Sequence, residues 1–147
     1  MTLLLDRHIP QADWLKAAGE RNGASRAPGR LRGVHGDQQE IPDAGPWESA
    51  VQKIVTFHHL GDDWDGLGAR APSYEVLVSA IGLAYVLYEQ GVDPPTRVVP
   101  GLERSVTFEW QFPDGTYAEV EIVGWLFAEV MLIEPGQPAK HWTLPTE

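Results

Sequence analysis

The sequence predicts an α+β domain in two layers, with two helices packed on one face of a three- to four-stranded antiparallel meander. Three observations lead there. Apolar residues recur at helical spacing in two stretches between Pro46 and Gln90. Beyond Asp93-Pro94-Pro95 the period changes to two, as in strands with one buried face. Turn residues, not helices, separate the alternating stretches, so strands adjacent in sequence are expected to pair antiparallel.

Length and composition suit this reading. A chain of 147 residues, 43% hydrophobic, fits one domain with a sizeable core. Order is expected from Pro46, a good first helical residue, with Glu48 complementing the helix dipole. Trp47, Val51, Ile54, Val55 and His58 place a first helix at about 46–59. After a loop from Gly61 to Pro72, Ser73 caps a second helix at about 73–90, with Glu75 in its first turn. Its apolar stripe is Leu77, Ala80, Ile81, Ala84, Leu87 and Tyr88. Gly91 and the prolines at 94 and 95 stop it.

Val98-Val99 forms a short strand. Val106, Phe108, Trp110 and Phe112 then alternate with Ser105, Thr107, Glu109 and Gln111, which gives a strand with one wet face. Pro113-Asp114-Gly115 turns the chain into Ala118, Val120 and Ile122, which alternate with Glu119 and Glu121. Trp125 to Ile133 reads as a third long strand, apolar enough to be covered on both faces. The domain is thus expected over residues 46–135, with 136–147 a tail anchored by Trp142. Residues 1–45 read as a flexible, partly helical arm. It holds a short helix over Pro10–Glu20 and a stretch from Arg21 to Gly36 with no acidic residue.

Charge narrows the function classes. The net charge is −10, and residues 1–45 contribute none of it, so the body carries the whole excess. Such a body repels nucleic-acid phosphates and attracts a basic partner. Nucleic-acid contact is expected only through Arg21, Arg26, Arg30 and Arg32, or indirectly, with the acidic face imitating DNA charge. The chain has no Cys, which excludes thiolate chemistry and suits a cytoplasmic setting. No signal peptide and no bilayer-spanning stretch is expected.

The densest polar cluster is His58, His59, Asp62, Asp63 and Asp65. Imidazole and carboxylate together bind divalent metals, so this cluster is the candidate metal site of a hydrolase reading. It is not an EF-hand: with Gly66 at loop position six, Gly61 falls at position one and Pro72 at position twelve, where oxygen ligands are needed. The competing reading has the three aspartates accepting backbone N–H groups in a tight loop. Trp64 reads either as a plug holding the loop to the core or as a ring that stacks a ligand. No nucleophile elbow, P-loop, dinucleotide fingerprint or His-Glu-x-x-His motif is present, so no cofactor and no catalytic residue is assigned. Glu109, Glu119 and Glu121 share a polar strand face, which reads as solvated surface or as a docking face for a basic protein, with Trp110, Trp64 and Asp65 as further candidate binding residues.

Trp64-Asp65-Gly66-Leu67-Gly68-Ala69 with Pro72 behind it, then Pro95 to Pro100, Glu109-Trp110 and Glu119 to Glu121, resembles a group of small uncharacterised bacterial proteins. The resemblance covers about residues 60–123, and Arg104-Ser105 stands where that group has Gly-Gly. It implies the fold and a bacterial origin. The expected function is a non-enzymatic binding module of antitoxin, immunity or defence-accessory type. A metal-dependent hydrolase and a nucleic-acid-linked protein are the alternatives.

Overall fold

The structure, a computed structural model, describes residues 13–21 and 45–145. Helix α1 spans Asp13–Arg21, α2 spans Gly45–Thr56 and runs on into a 3-10 turn at Phe57–His59, and α3 spans Tyr74–Glu89. The strands are β1 Arg97–Pro100, β2 Val106–Gln111, β3 Tyr117–Gly124, β4 Phe127–Ile133 and β5 Lys140–Pro145. They form one sheet in the order β1-β2-β3-β4-β5, every neighbouring pair antiparallel.

The α+β class and the meander hold, but the expected element count does not. The sheet has five strands, not three or four, and three helices are present among the described residues, not two. The fifth strand comes from the segment expected as a tail. Trp142 and Leu144 alternate there with His141 and Thr143, and β5 pairs with β4 in continuous register from Phe127↔Pro145 to Leu132↔Lys140. The third helix, α1, overlaps the short helix expected over Pro10–Glu20 in the arm, but its Leu15 belongs to the core of the domain.

Local chemistry sets each helix end. Gly45 takes a φ of 44° ahead of Pro46, a conformation open to glycine. The Ser73 hydroxyl accepts the N–H of Val76 at 3.3 Å and caps α3. At the other end Gly91, with φ 78°, turns the chain so that the N–H of Val92 reaches the Leu87 carbonyl. The Trp47 indole then donates to the Val92 carbonyl at 2.9 Å, tying α2 to the exit of α3.

The core lies between the helices and one face of the sheet. A single row crosses all five strands there, from Val98 through Phe108, Val120 and Val130 to Trp142. Trp47 meets Phe108 edge-on at 6.5 Å, and Trp14 of α1 meets Trp142 edge-on at 5.1 Å. These contacts put α1 and α2 on one side of the sheet, and α3 packs on β2 and β3 from that side too. The edges are short: β1 follows Pro94-Pro95 and ends on Pro100, and β5 ends on Pro145.

Two strand expectations are corrected. β4 is covered on one face only, with Ala128, Val130 and Leu132 buried and Phe127, Glu129 and Ile133 exposed. β2 is buried on both faces, including Thr107 and Glu109 on the side expected to be wet. It lies inside the sheet between β1 and β3, and Arg97 of β1 pairs with Glu109 on that face. Trp125 and Leu126 make the turn between β3 and β4. Leu126 adopts φ 54°, and its N–H donates to the Ser79 hydroxyl of α3 at 3.0 Å.

Candidate functional site

The face of the sheet turned away from the helices carries most of the polar chemistry. Register aligns Arg97, Glu109, Glu119, Met131 and His141 in one row across the five strands. The next row holds Val99, Thr107, Glu121, Glu129 and Thr143. Four glutamates thus form a block on β2, β3 and β4, with Glu109 directly opposite Glu119 and Glu121 directly opposite Glu129. Like charges in such positions repel and cost stability unless something neutralises them.

Part of that repulsion is relieved inside the chain. Arg97 Nε donates to Glu109 Oε2 at 2.6 Å, and the Glu109 side chain is only 10% exposed. The pair raises the Arg97 pKa, first through that hydrogen bond and then through the charge of Glu109. The Tyr117 hydroxyl donates to Glu119 Oε2 at 2.8 Å, and the Ser105 hydroxyl to Glu121 Oε1 at 2.6 Å. Glu129, exposed beside Thr143, has neither kind of partner among these bonds.

Burial, and then the hydrogen bond to Glu119, raise the Tyr117 pKa well above the ordinary phenol value of 10.0. The sign follows: a raised folded-state pKa contributes stability in full below pH 10 and loses it as pH climbs through the folded value. A tyrosinate absorbance titration should therefore show one component ionising well above pH 10 that vanishes in Tyr117→Phe. If the component lost in that variant instead ionises near pH 10, the burial and the hydrogen bond to Glu119 are not formed in solution.

The aspartate loop follows a different logic. Asp65 Oδ1 accepts the N–H groups of Leu67 and Ala69 at 2.9 and 3.0 Å. Asp63 Oδ1 accepts that of Gly68 at 2.7 Å, and Asp62 Oδ1 that of Ala71 at 3.0 Å. The N–H groups of Ala69 and then Leu67 lower the Asp65 pKa below the ordinary 3.8. Asp63 stands at φ 64° and Gly66 at φ 73°, and these left-handed residues wrap the loop around its own carboxylates. The loop is fastened to the β1–β2 connection by an Arg70 N–H to Leu102 carbonyl bond of 2.8 Å and by Arg104 near Asp62 at 3.6 Å.

The metal cluster of the alternative hydrolase reading is therefore not assembled among the described residues. His58 and His59 are exposed and meet each other edge-on at 5.2 Å. Among the described residues no group of three or more His, Asp or Glu side chains is placed to hold a metal ion. Trp64 is half-buried, with its indole N–H shielded from solvent and lacking a hydrogen-bond partner. Trp110 is not at a surface: it is 2% exposed and belongs to the core. Arg26, Arg30 and Arg32 lie outside the described residues, as does the side chain of Arg21. A cleft of about 470 Å³ opens between α2 and β1, lined by Ser49, Lys53, Thr96 and Arg97, and Arg97 is already engaged there by Glu109.

Sequence reasoning brought Glu109, Glu119 and Glu121 together but missed Arg97, Tyr117 and Glu129. Glu129 had a usable signal, since it is the one charge in an apolar stretch and marks the side of β4 that faces water.

Fold and site together define a small α+β domain in which no described helix is long and apolar enough to cross a membrane. No family model, curated protein or solved structure matches the chain.

Proposed function

We propose that the protein is a non-enzymatic binding module that presents the helix-free face of its sheet to a basic protein. The observation that carries this reading is the block of Glu109, Glu119, Glu121 and Glu129, aligned by register, with Arg97 as the cation paired inside it. Lysine or arginine side chains from a partner would relieve the remaining repulsion and speed encounter with a body of net charge −10. Phe127, 41% exposed, and Ile133 on the same strand supply apolar contact beside the charges. Small size, the acidic body, the six Trp and the absence of catalytic motifs, with the bacterial origin that the resemblance over residues 60–123 implies, point the proposal toward an antitoxin, immunity or defence-accessory role in a bacterial cytoplasm.

The test begins with nuclease-treated capture of a stoichiometric basic partner, followed by affinity against salt for wild type and for Glu119→Lys/Glu121→Lys. Binding by the variant should weaken by about 100-fold or more, with a smaller salt slope than wild type. A variant that keeps wild-type affinity for the captured partner removes the sheet face from the interface. A second expectation separates function from folding. Glu129→Gln should leave the free protein as stable as wild type or slightly more stable, because Glu129 opposes Glu121 directly.

A further inference from the structure

Helix α3 is apolar on two sides. One side, including Val76, Leu77, Ala80, Leu83, Ala84 and Leu87, is buried on the sheet. The other carries Tyr74, Val78, Ile81, Tyr85 and Tyr88, spaced four, three, four and three residues apart. That alternation is the heptad spacing along which one helix meets another. Tyr74 is 75% exposed, Tyr85 51% and Tyr88 45%, and Val78 and Ile81 are half-buried between them. An outer helix face normally carries charged residues. Here the charges are Glu75 and Glu89 near the two ends, and the thirteen positions between them carry none.

The geometry points to a second copy of this chain as the occupant of this seam, with the two α3 helices antiparallel. Charge selects the partner. A basic protein would be drawn to carboxylates, and the seam has none along its length. Two copies, each of net charge −10, meet at least electrostatic cost where the surface is uncharged. A two-fold axis at Ile81 sets Tyr74 against the partner's Tyr88 and Val78 near the partner's Tyr85. It also sets the two helix dipoles antiparallel, while Glu75 and the partner's Glu89 approach only at the solvent-exposed ends of the seam.

The available area is consistent with a weak, specific dimer. The exposed fractions of the three tyrosines leave about 400 Å² of aromatic surface per copy. Complete occlusion would withdraw at most about 800 Å² from the tyrosines of two copies, and Val78 and Ile81 bring this ceiling near the roughly 1,000 Å² of the smallest specific interfaces. The seam lies on the helix side of the molecule, so this pairing is independent of the docking role assigned to the sheet face.

Sedimentation equilibrium on the full chain, from roughly 1 to roughly 100 µM, tests the inference over the range expected of a small interface. Wild type should pass from the monomer mass to twice that mass, and its melting temperature should rise with concentration. Tyr85→Lys places a charge at an exposed position and should raise the dimer dissociation constant by about 100-fold or more, with a melt that no longer depends on concentration. Leu67→Lys, at an 89% exposed loop position off the helix, should dimerise like wild type. A wild type that stays monomeric throughout overturns the inference, as does a Tyr85→Lys protein that dimerises like wild type. Loss of the dimer in Leu67→Lys alone also overturns it, since the contact would then lie at the loop.

Discussion

Trp110→Ala should lower the unfolding free energy by about 3–5 kcal/mol, the largest loss expected from any single substitution described for this protein. The ring is 2% exposed and meets Phe108 edge-on at 6.1 Å, so truncation opens a cavity at the centre of the helix–sheet interface. It also removes the indole N–H that donates to the Asp93 carbonyl at 2.9 Å. That bond ties the connection from α3 to β1 down onto β2. Trp110→Phe keeps most of the packing and loses the donor, so a smaller cost of about 1–3 kcal/mol is expected. Urea denaturation monitored by circular dichroism measures both. Against a typical domain stability of about 5–15 kcal/mol, the alanine variant should lose a large share of its stability and unfold at a much lower urea concentration. If Trp110→Ala instead unfolds within about 1 kcal/mol of wild type, the ring does not hold the core.

Gly101→Ala should cost about 1–3 kcal/mol, for a reason of space. A Cβ at this position would stand 1.8 Å from the Ser105 hydroxyl oxygen and 3.2 Å from Glu121 Oε1. Ser105 is 1% exposed, so its hydroxyl can move only by giving up the 2.6 Å bond to Glu121. Removing that hydroxyl removes most of the collision. Gly101→Ala/Ser105→Ala should therefore be less destabilised than the two single losses added together, by about 1 kcal/mol. Strict additivity in a double-mutant cycle would mean that the crowding lies elsewhere. Because Glu121 belongs to the acidic block, this cycle also shows how the connection from β1 to β2 sets the position of one docking carboxylate.

Much of this architecture was readable from the chain because its signals are local. α2 and α3 carry helical spacing, a proline near the first turn or a serine cap, and Gly91 as a stop, all within a few residues of one another. The alternation in β2 and β3 assigns Glu109, Glu119 and Glu121 to a common face before any contact is known. What failed depends on neighbours distant in sequence. β5 carries only two inward apolar residues, Trp142 and Leu144, among Lys140, His141, Thr143 and Pro145, and its strand character rests on pairing with β4. Burial of Glu109 depends on Arg97, twelve residues away and on the adjacent strand. Glu129 was hidden because Phe127, Met131 and Ile133 make its side of β4 look like core. The aspartate loop was legible in part: its spacing allowed both a cation site and a self-bonded turn, and the backbone N–H groups of Leu67, Gly68, Ala69 and Ala71 take the carboxylates for the turn.

The prolines bordering the sheet bear on how the protein behaves when crowded. An open strand edge offers its backbone to any passing extended chain, which is how ordered aggregates grow. β1 is four residues long, enters from Pro94-Pro95 and finishes on Pro100, and β5 finishes on Pro145. Proline has no N–H to contribute to an added ladder, so a foreign strand would find few consecutive bonds along β1, and Pro145 ends any ladder built on β5. Polymerisation by strand addition is thereby discouraged at the β1 border while the folded state persists, which leaves β5 as the edge where an added strand would start.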